Sequence, residues 1–233
     1  MKNAEMRTGG QMERAESPEI KEQKLCDYYV SEYQKEDPFR IANRIGVPYH
    51  YTEREFHMSV MGRGYAVKFP DFSIHCLEGA DIYDLAVSRK FRVLLLRFLL
   101  YGTVFEANGD YRLFQELPSG DGLSRQFEEQ CVKKMENRYG RVLQVFEAIM
   151  EKMNAVRIYG ADISYEMEFL EGLYIRFLFQ AGSDSLLPKL QILFSSNFPA
   201  AFSAEDLSDI IEICMDAFDA AEPLLAVANP YSR

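Results

Sequence analysis

The chain has no tryptophan, three histidines and four cysteines in 233 residues. The cysteines, Cys26, Cys76, Cys131 and Cys214, stand far apart. A zinc or iron–sulfur site normally shows at least one closely spaced pair, and a disulfide framework belongs to a secretory context. The stretch Met1 to Ser17 is polar and charged, without the apolar segment of a secretory leader. Free, buried thiols in a cytoplasmic protein are therefore expected. Basic residues are also scarce, since 26 Lys and Arg against 36 Asp and Glu leave a net charge of −10. A duplex-binding protein needs a cationic footprint for the phosphates, and an acidic surface is repelled by anionic lipid. The expectation is no nucleic acid and no membrane among its partners. Long apolar runs are missing as well. The most apolar stretch, Phe91 to Phe105, is broken by Arg92 and Arg97 and falls short of the roughly 20 residues that a span requires.

What the chain does have is an ordinary globular balance, 48% hydrophobic and 27% charged, which argues against disorder of the whole. Its 17 Phe and 14 Tyr suit a sheet packed on helices. Helices are expected from Ile20 to Tyr33 and from Pro38 to Ile45, separated by Asp37-Pro38. The pattern then shortens to strands over Glu55–Met61, Tyr65–Phe69 and Phe72–Leu77, a small antiparallel meander with one buried face. Asp81 to Tyr101 has the spacing of a central buried helix, in which Arg92 and Arg97 need partners. Tyr111–Leu117 reads as extended, and Ser124 as the cap of a following helix that Gly140 separates from the next. Alternation predicts strands over Ile163–Phe169 and Leu173–Phe179, joined by a hairpin at Glu171-Gly172, and a third over Leu190–Phe194. Ser203 and Asp206 form a capping box ahead of a last helix.

Strands in runs, rather than alternating singly with helices, predict an α+β fold: antiparallel strand runs packed against several helices in a single domain. That domain is expected over residues 21–222, between a flexible acidic and basic tail at 1–20 and a frayed tail at 223–233.

Three segments carry a family resemblance: the apolar helix Leu94–Leu100, the run Leu113-Phe114-Gln115-Glu116-Leu117-Pro118-Ser119-Gly120 with Phe127 beyond it, and Leu193–Asn197 followed by Phe202–Leu207. From about Glu55 to Phe218 the chain resembles the uncharacterised domain of unknown function 3786 family, found in anaerobic bacteria and archaea. The second segment is similar to that family's Phe-Arg-Glu-Leu-Pro-Gly-Gly motif, with Gln115 in place of the Arg and Ser119 in place of the first Gly. The family tends to carry Trp and an acidic run before its last strand; Phe179–Asp184 stands there instead. Some relatives are fused to a Cys-rich iron–sulfur segment, which the four isolated cysteines here do not reproduce. The resemblance implies a fold and no particular reaction.

Candidate chemistry is sparse. In the loop Glu116–Gly122, the residues Glu116, Ser119, Gly120 and Gly122 leave backbone N–H groups at a helix start, where an anion can be cradled. The competing reading is a structural turn in which Glu116 reaches a neighbouring N–H. No metal site and no catalytic residue is assigned. His57 and His75, with Glu55, are the one conceivable two-histidine, one-carboxylate set, with His75 expected on the solvent face. Cys76 and His75 are adjacent in a strand and point to opposite faces, so they make no dyad. Asp162, Glu166, Glu168, Glu171 and Asp184 are expected on a solvated hairpin face. Phe169, Phe177 and Phe179 read as core rather than as a pocket floor. Three functions stay open: a non-catalytic binding or partner-docking domain; a small-ligand or cofactor-associated accessory protein of anaerobic metabolism; and an enzyme with an unrecognised site. The cofactor, the small ligand and the protein partner are all unknown from sequence.

Overall fold

The computed structural model describes residues 18–183 and 185–228. The chain folds as one α+β domain around a single hydrophobic core. It opens with two helices, α1 (Pro18–Tyr33) and α2 (Pro38–Ile45). Asp37 caps α2 by accepting from the Phe39 N–H, with Pro38 preset for the first helical position. Gly46, at φ +71°, ends it in the left-handed conformation that suits glycine. The strands β1 (Tyr49–His50), β2 (Glu55–Val60), β3 (Arg63–Lys68) and β4 (Ile74–Cys76) then form the expected meander, with β1 added to the edge of β2.

The helix expected from Asp81 is shorter than its spacing suggests: α3 runs only over Arg89–Tyr101. The Asp81 carboxylate accepts from the N–H groups of Tyr83 and Ala86, and Asp84 takes φ +53°, so residues 81–88 bond to a side chain instead of winding. Ser88 caps α3 through the Phe91 N–H. Arg92 and Arg97 find the partners they need, Arg92 over the Phe72 ring and Arg97 on Asp206.

After α3 come β5 (Tyr111–Leu113), a 3-10 turn over Phe114–Glu116, α4 (Gly120–Phe127), a π-helical turn over Glu128–Val132, α5 (Lys133–Tyr139) and α6 (Leu143–Lys152). Ser124 lies inside α4, bonding back to the Asp121 carbonyl; the capping position belongs to Ser119. A two-residue strand β6 (Val156–Arg157) precedes the long hairpin of β7 (Ile163–Leu170) and β8 (Leu173–Gln180). Then follow β9 (Lys189–Ser195), a short α7 (Phe198–Ala201) and α8 (Ala204–Ala228). The capping box holds: Ser203 donates its N–H and hydroxyl to Asp206. The expected tail at 1–20 falls almost wholly outside the described residues. α8 continues through Pro223 to Ala228, into the stretch expected to fray.

Among the described residues the two strand runs join into one nine-stranded antiparallel sheet, ordered β4-β3-β2-β7-β8-β9-β5, with β1 beside β2 and β6 beside β7. The seam between the runs has one bridging pair, Val60 with Leu170. Helices cover the face carrying Phe169, Phe177 and Phe179, which are fully buried as expected. Phe146 of α6 packs on Phe177 and Phe179, and Phe218 of α8 on Phe177. The opposite face carries Glu166 and Arg176, whose guanidinium lies 3.6 Å over the Tyr111 ring.

Candidate functional site

The loop with the family motif is tied up by its own chain. The Glu116 carboxylate accepts the Leu113 N–H at 2.8 Å, the Leu117 N–H bonds the Phe114 carbonyl, and the Gly120 N–H bonds the Leu117 carbonyl. A Cβ on Gly120 would sit 1.9 Å from the Phe114 oxygen, so only glycine closes this turn, which explains its place in the motif. Phe114 then stacks on Phe127 at 4.1 Å, joining the motif to the aromatic that follows it. Ser119, at φ +62°, lines a hollow of about 230 Å³ in front of the first turn of α8, while a Cβ on Gly122 would meet no atom within 4 Å.

All three histidines converge on one face of the meander. His57 Nε2 lies 2.8 Å from the Glu55 carboxylate, His75 Nε2 lies 4.0 Å from the other oxygen, and the His50 ring stacks on His57 at 3.9 Å. The strand pairing does this: β1 sets His50 opposite Glu55, while β3 sets Ala66 between His57 and His75. Sequence proximity suggested only His57 and His75. Among the described residues, no group of three or more His, Cys, Asp or Glu is arranged to hold a metal ion. Cys76 lies on the other face, 3.3 Å from the Arg63 guanidinium. Burial pushes the Cys131 thiol up to about 12, far from a nucleophile's range.

Of the carboxylates expected on a solvated hairpin face, Asp162 is exposed and Glu166, Glu168 and Glu171 are half-buried, and each bonds within the chain. Glu166 binds the Tyr111 hydroxyl and Arg176, Glu168 accepts the Gly172 N–H, and Asp162 accepts the Ala181 N–H. Glu171 reaches across the seam to the Ser59 N–H, and burial raises its carboxyl above the ordinary value despite that bond. Asp184 lies outside the described residues. Asn197 is buried and fully used: it donates to the Phe105 and Gly172 carbonyls and accepts from the Ser195 hydroxyl.

A different place has the composition of a binding site. Between α2 and the turn from β1 to β2 lies a hollow of about 590 Å³, within the range typical of small-molecule pockets. Phe39, Tyr49, Tyr51 and Phe69 wall it, with Thr52 and Arg54 as polar members. Its construction is local. The cap at Asp37 starts α2 so that Phe39 faces outward, and pairing of β1 with β2 lays Tyr49 on Phe56 at 4.9 Å. Phe39 packs edge-on to Tyr49 at 5.4 Å and lies 6.3 Å from Tyr51 at 24°. The turn closes through Arg54, at φ +56°, whose carbonyl accepts the Phe69 N–H at 2.8 Å. Phe39 and Tyr51 nonetheless remain 52% and 75% exposed. The Arg54 side chain makes no hydrogen bond or ion pair with the described residues. Sequence reading passed over this corner because Tyr49–His50 is too short to show alternation. The available signal was the aromatic density around Pro38, Pro48 and Arg54.

Comparison with known proteins gives one family. The family described as domain of unknown function (DUF3786) matches residues 37–217. No curated protein and no solved structure matches. Among the described residues, no helix is long and apolar enough to cross a membrane.

Proposed function

The chain belongs to the DUF3786 family, whose description names no activity, and from that premise we propose that it is a non-catalytic binding domain. Its binding site is the aromatic hollow between α2 and the β1–β2 turn. One observation carries the reading: two large rings, Phe39 and Tyr51, stay exposed side by side in a hollow of about 590 Å³ beside Arg54, whose side chain has no hydrogen-bond or ion-pair partner among the described residues. Aromatic surface is costly to leave in water, and a concave, ring-lined site with a few polar groups is the usual form of a ligand pocket. The nucleophile candidate supports the same side: Cys76 and His75 lie on opposite faces of β4.

A second reading keeps the loop Glu116–Gly122 as the site, favoured by Ser119 on the rim of the hollow before α8. Thermal-shift screening of a metabolite library against the wild type, Tyr51→Ala and Ser119→Ala separates the two. A ligand at 100 times its Kd stabilises by about 2.7 kcal/mol. Hits lost in Tyr51→Ala alone support the aromatic hollow, and hits lost in Ser119→Ala alone support the loop. Hits that survive both substitutions overturn both readings.

A further inference from the structure

Resting on that reading, we infer that the hollow takes a small planar anion, an aromatic carboxylate or its phosphorylated equivalent. The rings define the planar part. Phe39 and Tyr51 lie 24° from parallel with centroids 6.3 Å apart, and Tyr49 and Phe69 close the inner side. Aromatic faces stack on flat ligands at about 3.5–4.0 Å between carbon atoms. A flat ring therefore gains dispersion contacts here that an aliphatic chain of equal size does not.

Arg54 defines the charge. Aromatic walls alone also suit a quaternary ammonium, through cation–π attraction. Arg54 lines the same hollow and is exposed, and a guanidinium within reach of it reverses that preference, because it repels a cation and offers a planar fork to a carboxylate or phosphate. The context sharpens the point. Acidic side chains outnumber basic ones 36 to 26, yet Arg54 has no carboxylate partner among the described residues. Asp37, which precedes the lining residue Pro38, is occupied with the Phe39 N–H at the cap of α2. Thr52, also in the lining, carries a hydroxyl of the kind that can donate to an anion. Arg54 also sits at φ +56°, a conformation that non-glycine residues adopt at some cost and that recurs at ligand sites.

Three probes of one shape and different charge test this: 2-naphthoate, 2-naphthalenemethanol and (2-naphthylmethyl)trimethylammonium. Each is titrated by NMR into the full chain with the Phe and Tyr rings carbon-labelled. The expected result is that naphthoate binds tightest and shifts the Phe39 and Tyr51 signals. Arg54→Gln should then weaken naphthoate about tenfold or more while leaving the alcohol unchanged. Arg54→Lys, which keeps the charge without the fork, should fall between. Circular dichroism of each variant confirms that the fold is retained. If the alcohol or the ammonium binds as tightly as naphthoate at Phe39 and Tyr51, the anion inference fails and the hollow remains a binding site. If none of the three moves those ring signals, the inference and the binding reading fall together.

Discussion

Two glycines of one loop should respond in opposite directions to the same substitution. At Gly120 an alanine Cβ would meet the Phe114 carbonyl oxygen at 1.9 Å and its carbon at 2.9 Å. Ordinary carbon contacts begin near 3.5 Å, so the turn must open by well over 1 Å, and its partner is backbone that cannot rotate aside. Opening it breaks the Gly120–Leu117, Leu117–Phe114 and Leu113–Glu116 hydrogen bonds. Each is worth about 1 kcal/mol, and loosening the Phe114–Phe127 stack costs about 1 kcal/mol more. Gly120→Ala should therefore lose about 4 kcal/mol and, at about 2–4 °C per kcal/mol for a domain of this size, roughly 8–16 °C in Tm. Gly122 lies in the first turn of α4 with open space around it, so Gly122→Ala should gain about 0.5–1 kcal/mol from helix propensity and a less flexible unfolded chain. The assay is urea and thermal unfolding followed by circular dichroism and tyrosine fluorescence, the latter undisturbed by tryptophan. A Gly120→Ala protein melting within about 2 °C of wild type would refute the steric account of the motif.

Asn197→Ala should cost about 2–4 kcal/mol in urea unfolding, because it leaves the Phe105 and Gly172 carbonyls and the Ser195 hydroxyl without their partner; a loss below about 1 kcal/mol would mean that water replaces the amide there. Glu171 should give a pH signature. Its carboxyl is raised in the folded state by burial, so the folded form binds its proton more tightly than the unfolded one. No penalty exists below the unfolded value of about 4.3, and stability falls as pH climbs from there through the folded value. Glu171→Gln keeps an acceptor for the Ser59 N–H and should be more stable than wild type at pH 7 while matching it near pH 3; a difference that does not change with pH would contradict the assignment.

The strands were legible because each displays its own alternation: Ile163 to Phe169 and Leu173 to Phe179 reveal their buried face without help from the rest of the chain. The region from Asp81 to Ser88 was not, since its apolar spacing is helical and only the Asp81 side chain, bonded to two backbone N–H groups, diverts it. Nothing in the order of residues announces that β2 and β7 meet, or that His50 comes to lie on His57, because both depend on register between separate segments. The loop Glu116–Gly122 was readable as a turn from its glycines, whereas the clash that fixes Gly120 is a tertiary fact. The aromatic hollow escaped for a related reason: exposed rings and buried rings look alike in a sequence.

The seam between the two strand runs also sets an order of assembly. Within β2–β4 and within β7–β8 the strands are joined by short turns, so those pairings form from neighbours along the chain. Uniting them requires Val60 to find Leu170 across more than a hundred residues, for one bridging pair reinforced by the Met61–Phe169 and Glu171–Ser59 backbone bonds. Loop-closure entropy is spent there with little local return, so the two parts of the sheet are expected to form early and dock late. Once formed, that narrow junction is expected to be where the sheet parts first, so that hydrogen exchange should find the amides on either side of it opening as separate cooperative units.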